Sequence, residues 1–270
     1  MGAPCRTTIL VAVVAAGMTA CGGGGGGGPR AAATGAHPGS SASALNVVYV
    51  RTPPLRVRRY VTRGTWPRIA SGQREAAAVN AVLSHVLLAD ERSYARIARK
   101  EERQPYSLWR RYTGTYETRP RRRLISASTV VVSALVAQRR LFPGGNDGDG
   151  WLSATVRVSD GSPVAISDIF AQPSSGLRAL AASVRKQLQT SNRCVRNSRS
   201  PFTLRGFAPT AAHYRHFALT PSGLAVGFDL GDVAEVPCGR VVTIVPYSSV
   251  RSNLSKLGEE LVAGVRQPRG

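Results

Sequence analysis

Leu124-Ile-Ser-Ala-Ser-Thr-Val-Val-Val-Ser-Ala-Leu-Val136, then Pro143-Gly-Gly-Asn-Asp-Gly-Asp-Gly150, then Trp151-Leu-Ser-Ala-Thr-Val-Arg-Val158: these three stretches decide the fold class. The first is rich in Val, Ser and Thr and free of Gly and Pro, which predicts one long strand. The second is dense turn chemistry. The third alternates apolar and polar residues and is expected to return as the antiparallel partner of the first.

Upstream, residues 73–103 change period. Ala76, Val79, Val82, Leu83, Val86, Leu87, Tyr94 and Ile97 recur at three- and four-residue steps, predicting an amphipathic helix from near Ser71 whose charged end, Arg96 to Arg103, is a solvated face. Before it, residues 46–62 hold two β-branched runs split by Pro53-Pro54, read as two edge strands or one broken strand. Downstream, Leu177, Leu180, Ala181, Val184 and Leu188 mark a second helix over 175–190. Phe217–Thr220 and Leu224–Leu230 flank a turn at Pro221-Ser-Gly223, Val241–Val245 is a strand, and Pro246 with Ser248 opens a last helix carrying Val250, Leu254, Leu257 and Leu261. The expected class is α+β, mostly antiparallel sheet with about three packed helices, in two subdomains, 46–150 and 151–270.

Of the 270 residues, roughly 220 remain to pack once a leader and a Gly-rich stretch are set aside. Wholesale disorder and collagen-like structure are excluded by a 43% hydrophobic content without a Gly period. The net charge of +21 is carried almost wholly by Arg, beside much Ala, Gly and Val. A GC-rich genome produces that bias, so the charge is weak evidence for nucleic acid.

Residues 1–20 have the layout of a secretory signal, with Arg6 before the apolar run Ile9–Ala16, which is too short to span a bilayer. Met18-Thr19-Ala20-Cys21 resembles a bacterial lipobox, which implies a diacylglyceryl group on Cys21 and anchoring to the cell membrane. Ordinary secretion with cleavage near Ala20 is the alternative. Residues 21–45 read as a flexible Gly/Ala/Ser tether. The folded part is thus expected outside the membrane, where nucleic acid is not available as a partner.

Cys5 leaves with the leader and Cys21 carries lipid, so Cys194 and Cys238 remain in an oxidising compartment. They are expected to pair, closing a loop of about 45 residues. Two separate buried thiols are the alternative.

Phe217-Ala-Leu-Thr-Pro-Ser-Gly-Leu-Ala-Val-Gly-Phe228, Val233-Ala-Glu-Val-Pro-Cys-Gly239, Val241-Val-Thr-Ile-Val245, Pro246-Tyr-Ser-Ser-Val250 and, earlier, Ile166-Ser-Asp-Ile-Phe170 follow a familiar order. They resemble the RsiV-like family of extracytoplasmic domains, shared by the anti-sigma factor RsiV and the N-terminal region of the peptidoglycan deacetylase PdaC. The likeness runs from about Tyr60 to Leu257 and is specific after Leu152. It implies a sensing or binding domain, here expected without the sigma-binding segment and membrane helix of the one relative or the deacetylase domain of the other. Relatives carry an aromatic Ala-Pro-Tyr step where this chain has Ala234-Glu-Val-Pro-Cys238, so no role of that aromatic carries over. Cys238 in that place suggests local stapling to Cys194.

Catalytic motifs are absent: there is no Gly-x-Ser-x-Gly elbow and no phosphate loop ending Gly-Lys-Ser/Thr. His213 and His216 form the one close His pair, without the neighbouring carboxylate that a hydrolytic metal site needs. Counted from Asp147, the calcium-loop positions fall on Trp151, Leu152 and Val158, so Asn146–Gly150 reads as a hairpin loop. Asp168 is expected to cap a helix or turn. Arg56, Arg58 and Arg59, with Arg119, Arg121, Arg122 and Arg123, are candidate contacts for an anionic surface, with a solvated surface as the alternative.

The reading is a non-enzymatic envelope lipoprotein with no cofactor. By family analogy its partner is peptidoglycan, an anionic wall polymer or an envelope protein. A basic domain repels basic lysozyme, which favours the anionic polymer. A wall-glycan enzyme with an unrecognised carboxylate pair and an accessory subunit of an envelope complex are the alternatives.

Overall fold

Strand β4 (Val131–Leu141) is the spine of the molecule in a computed structural model, which describes residues 45–55, 57, 59–70, 74–103, 113–142, 148–198 and 205–266. Its first eight residues are all buried, because both of its faces are covered. Val132, Ala134 and Val136 point to one hydrophobic core, Leu135 and Ala137 to another.

β4 pairs antiparallel with β3 (Gly114–Ala127) and with β5 (Gly148–Arg157). β2 (Tyr60–Ile69) pairs parallel with β3 and antiparallel with β1 (Val47–Arg51), giving a five-stranded sheet in the order β1-β2-β3-β4-β5. The parallel step needs a crossover, which contains helix α1 (Arg74–Glu102). The Asn80 side chain fixes α1 to the end of β2: its Oδ1 accepts from Ile69 N at 2.8 Å and its Nδ2 donates to Ile69 O at 2.9 Å. Val79, Leu83, Leu87 and Tyr94 of α1 pack on the sheet in the first core.

The opposite face carries a second sheet, β6 (Phe217–Thr220), β7 (Gly223–Phe228) and β8 (Val241–Val245), all antiparallel. Leu135, Ala137 and Trp151 meet Ala218 and Ala225 between the sheets. The small residues are required: a Cβ on Gly227 would lie 2.7 Å from the Trp151 ring. Ser126 and Ser133 fasten β6 to the large sheet through the backbone of Leu219. Helices α2 (Pro173–Ser191) and α4 (Lys256–Arg266) cover the far side through Leu177, Leu180, Val184 and Leu261. The one-turn α3 (Arg193–Asn197) follows α2 and is capped by Asn192. The order of layers is helix, five-stranded sheet, three-stranded sheet, helices. No described helix is long and apolar enough to cross a membrane.

The α+β class and the mostly antiparallel sheet are as expected, and four expectations are corrected. The single strand over 124–136 is the end of β3, a turn and the start of β4. Ser128 makes that turn with its hydroxyl, which accepts from Val130 N and Val131 N. The described residues belong to one compact unit, Ser41–Gly270, in which position 150 lies within β5. β2 is an inner strand, and Leu45, placed at the end of the tether, is buried. The last helix begins at Lys256 after two 3-10 turns, because Ser255 is its cap, accepting from Gly258 N at 3.0 Å.

The segments that carried the family resemblance hold the fold together. The Tyr247 hydroxyl donates to Thr220 O at 2.9 Å and accepts from Thr220 N at 3.1 Å, locking the 246–250 segment to β6. Asp168 closes a turn, its Oδ2 accepting from Ala165 N at 2.8 Å, while Ser255 bonds the backbone of Asp168 and Ile169.

Candidate functional site

β5 is an edge strand, and its pairing with β4 sets Gln138 opposite Gly150 and Arg140 opposite Gly148. At Gly150 even a Cβ would stand 2.9 Å from Asp229 Oδ1 and 3.1 Å from Gln138 Oε1. Gly150 thus lets β5 pack closely against both side chains, and beside them lies a cavity of about 520 Å³. Gln138 and Arg140 line it from β4, Asp90 from α1, Arg215 and His216 from the approach to β6, and Asp229 from the exit of β7.

Its carboxylates are held by cations. Asp90 pairs with Arg140 and accepts from the Tyr116 hydroxyl at 2.7 Å. Asp229 Oδ1 accepts from Trp151 N at 2.8 Å, and Oδ2 from Arg215 Nη2 at 3.0 Å. His216 Nε2 lies 3.3 Å from Asp229 Oδ2 and 2.9 Å from Arg215 Nε. The neutral nitrogen accepts from the arginine, and the protonated one donates to the carboxylate. Burial works to raise the pKa of Asp229, but His216, the Trp151 amide and Arg215 outweigh it and hold the carboxyl below its ordinary value. Burial lowers Arg140, with Asp229 acting against it.

Two buried donors on residues that line the cavity have no hydrogen-bond partner. Gln138 is only 4% exposed, and its Nε2 makes no hydrogen bond. The buried Arg140 Nε makes none either.

Beside Asp90, Glu91 points into the protein, 5% exposed and with Oε1 unpartnered. Burial pushes its carboxyl up to about 7. A folded-state pKa above the unfolded value favours folding most at low pH. That advantage is full below pH 4.5 and is lost as pH rises to about 7. Glu91→Gln should therefore gain about 3 kcal/mol relative to wild type between pH 4.5 and pH 8. Urea denaturation of both proteins across that range checks it; parallel pH profiles would refute the assignment.

A second charged feature lies on the other face of the large sheet. The register aligns Arg119, Ala137 and Trp151 in one row and Glu117, Arg139 and Asp149 in the next. Between Pro120, opposite Val136, and Ile125, opposite Ala134, β3 bulges, and Arg121, Arg122 and Arg123 all stand exposed on it. Arg119, also exposed, is held by Glu117 at 2.7 Å. Arg240 lies 5.5 Å from the Trp151 ring centroid and pairs with Asp149 at 3.0 Å. Burial lowers its pKa; Asp149 opposes this, while Arg121, Arg119 and Arg139 lower it further. Arg139 and Arg240 thus share Asp149, with Arg119 and Arg121 close enough to add like charge.

Of the residues singled out from sequence, Cys194 and Cys238 form a disulfide, with Cα atoms 5.9 Å apart. Arg119, Arg121, Arg122 and Arg123 come together on the bulge. Arg59 is exposed at the Gly114 end of β3, its carbonyl accepting from Gly114 N at 3.0 Å. Cys21, Arg56, Arg58, the leader, the tether up to residue 44 and residues 143–147 of the turn lie outside the described residues. His213 turns to the Ala208 carbonyl and His216 to Asp229, so the pair does not converge. Among the described residues no three His, Cys, Asp or Glu side chains are grouped to hold a metal. Asp90, Gln138, Arg140, Arg215 and Asp229 escaped sequence reasoning. The one local signal was Arg215, which stands between the two histidines.

No family model matches the chain, and no curated protein matches it. Solved structures do. A DUF3298 family member from Bacteroides fragilis aligns with a TM-score of 0.53 at 11% identity, covering 83% of this chain and 98% of its own. A DUF3298 family protein from Pseudomonas aeruginosa gives 0.52 at 11% identity, covering 80% and 97%. Likeness at this identity shows a shared fold.

Proposed function

We propose that this chain is a non-enzymatic binding domain of the cell envelope, RsiV-like in type and anchored to the membrane by lipid on Cys21, that engages an anionic wall polymer. The observation that carries the reading is the β3 bulge, which sets Arg121, Arg122 and Arg123 out in solvent beside Arg119 and Arg240. Convergence of like charge costs folding stability and is offset when an anion arrives. The DUF3298 fold and the Cys194–Cys238 bond agree with an extracytoplasmic domain. The cavity carboxylates favour binding over hydrolysis. Asp90, Asp149 and Asp229 are each paired with arginine, and Asp229 is held low rather than raised as a general acid requires.

The test is retention of the full chain on purified wall material, native and stripped of anionic polymer, at rising salt. Native wall should retain it, stripped wall should not, and salt should release it. Arg121→Gln/Arg122→Gln/Arg123→Gln should weaken retention by about tenfold to a hundredfold, from about 1 kcal/mol per cation at an anionic surface. Equal retention on stripped wall, or by the triple variant, would refute the proposal.

A further inference from the structure

We propose that the exposed stripe of α1 from Arg92 to Arg103 is a docking face for an anionic lipid bilayer. It is separate from the basic bulge and needs nothing of the anionic-polymer reading; the lipid proposed on Cys21 would only keep a bilayer near. The exposed residues over this stretch are Arg92, Arg96, Arg99, Lys100, Arg103 and Ile97. At 3.6 residues per turn the five cations fall within about 100° of arc. The acids of the same half of the helix fall on the other side. Asp90 is held by Arg140 and Tyr116, Glu91 is buried, and Glu101 and Glu102 are half-buried.

Solvation alone does not call for that segregation. A solvated helix gains from acid–base pairs four residues apart. Here Arg92 and Arg96, Arg96 and Lys100, and Arg99 and Arg103 stand four apart with like charge, which costs helix stability. Among the described residues, Arg92, Arg96, Lys100 and Arg103 make no ion pair. The helix C-terminus favours Arg99 and Lys100 in the last turn, but its field does not reach back to Arg92 and Arg96. An anionic surface offsets the repulsion of the whole row at once.

Shape and chemistry select a bilayer over a polymer chain. The row is convex and about 16 Å long, which suits a plane, and it presents no exposed amide, carboxylate or aromatic ring to grip a sugar. Ile97, 40% exposed, borders the cations. Cations on the headgroups with an apolar side chain at the acyl boundary is the arrangement of an interfacial helix.

The experiment is co-flotation of the full chain with vesicles of phosphatidylcholine alone, and with vesicles in which roughly one lipid in three is phosphatidylglycerol. The apolar run Ile9–Ala16 is common to every variant and both vesicle types, so the ratio of anionic to neutral binding is the quantity read. Wild type should favour the anionic vesicles, and salt should reduce the preference. Arg92→Gln/Arg96→Gln/Arg103→Gln should cut the ratio about tenfold or more. Its melting temperature should stay level or rise, because like-charge pairs are removed. Arg121→Gln/Arg122→Gln/Arg123→Gln loses the same charge and should keep the ratio within about threefold. α1 meets β3 where the Tyr94 hydroxyl donates to Thr115 O, and Arg121 lies about 20 Å further along that strand, beyond a Debye length. Ile97→Ser changes no charge and should weaken binding about threefold. Equal loss in the two triple variants, an unchanged ratio in the α1 variant or in Ile97→Ser, or loss of wall retention in place of vesicle binding by the α1 variant would overturn the proposal. The polymer reading is tested by the bulge variant on wall material, so either can fail alone.

Discussion

Trp151→Ala is expected to destabilise the protein by about 4 kcal/mol, the usual cost of deleting a buried indole. Trp151 is 3% exposed and fills the space between the two sheets against Ala218, Ala225 and the bare backbone of Gly227. Its Nε1 donates to Phe228 O at 3.2 Å and to Val241 O at 3.1 Å, so one side chain of the large sheet ties the end of β7 to the start of β8. Those carbonyls lose a donor when the ring is removed. Trp151→Phe separates the effects, restoring much of the volume but not the donor, and should recover a large part of the loss. Urea denaturation measures both variants; a loss under about 1 kcal/mol for Trp151→Ala would show that the sheets are held together elsewhere.

Opening the Cys194–Cys238 bond is the second large effect. The bond spans 44 residues, and releasing that loop in the unfolded chain costs about 4 kcal/mol in the chain-entropy account. Cys194→Ser/Cys238→Ser should lower the melting temperature by on the order of 10 °C, at a few degrees per kcal/mol for a domain of this size. Added reductant should bring wild type down to the variant and leave the variant unmoved. A reductant-sensitive variant would point to a different origin for the effect.

The fold was legible where burial is one-sided. α1, α2 and β8 each show their period because one face of each is less buried than the other, whereas the β6–β7 hairpin, buried at every residue, was marked by its Pro221-Ser-Gly223 turn. The centre was harder to read. β4 is covered on both faces and loses its alternation, and the β3–β4 turn is made by a serine hydroxyl rather than by Gly or Pro, so two strands read as one. The first half of β3 hid behind its arginines, although Tyr116 and Thr118 alternate inward there. Cys194 and Cys238 could be paired from counting, because they are the two cysteines that follow residue 21. The cavity could not be anticipated: Asp90, Gln138, Arg140 and Asp229 are distant in sequence and meet through the β4–β5 register and the turn after β7.

The layering also sets an order of events as the chain folds. The first core needs only residues up to Val158, just past the end of β5, so α1 can dock on the large sheet once Val158 is available. The opposite face of that sheet, with Leu135, Ala137 and Trp151, has no cover until Phe217 and the strands after it arrive. A chain that emerges from its N-terminus therefore passes through a half-built state with a bare apolar sheet face and an unguarded β5 edge. That is the interval in which it is open to aggregation and to chaperone capture. Changes that slow the β6–β7 hairpin would lower yield without altering the stability of the finished protein.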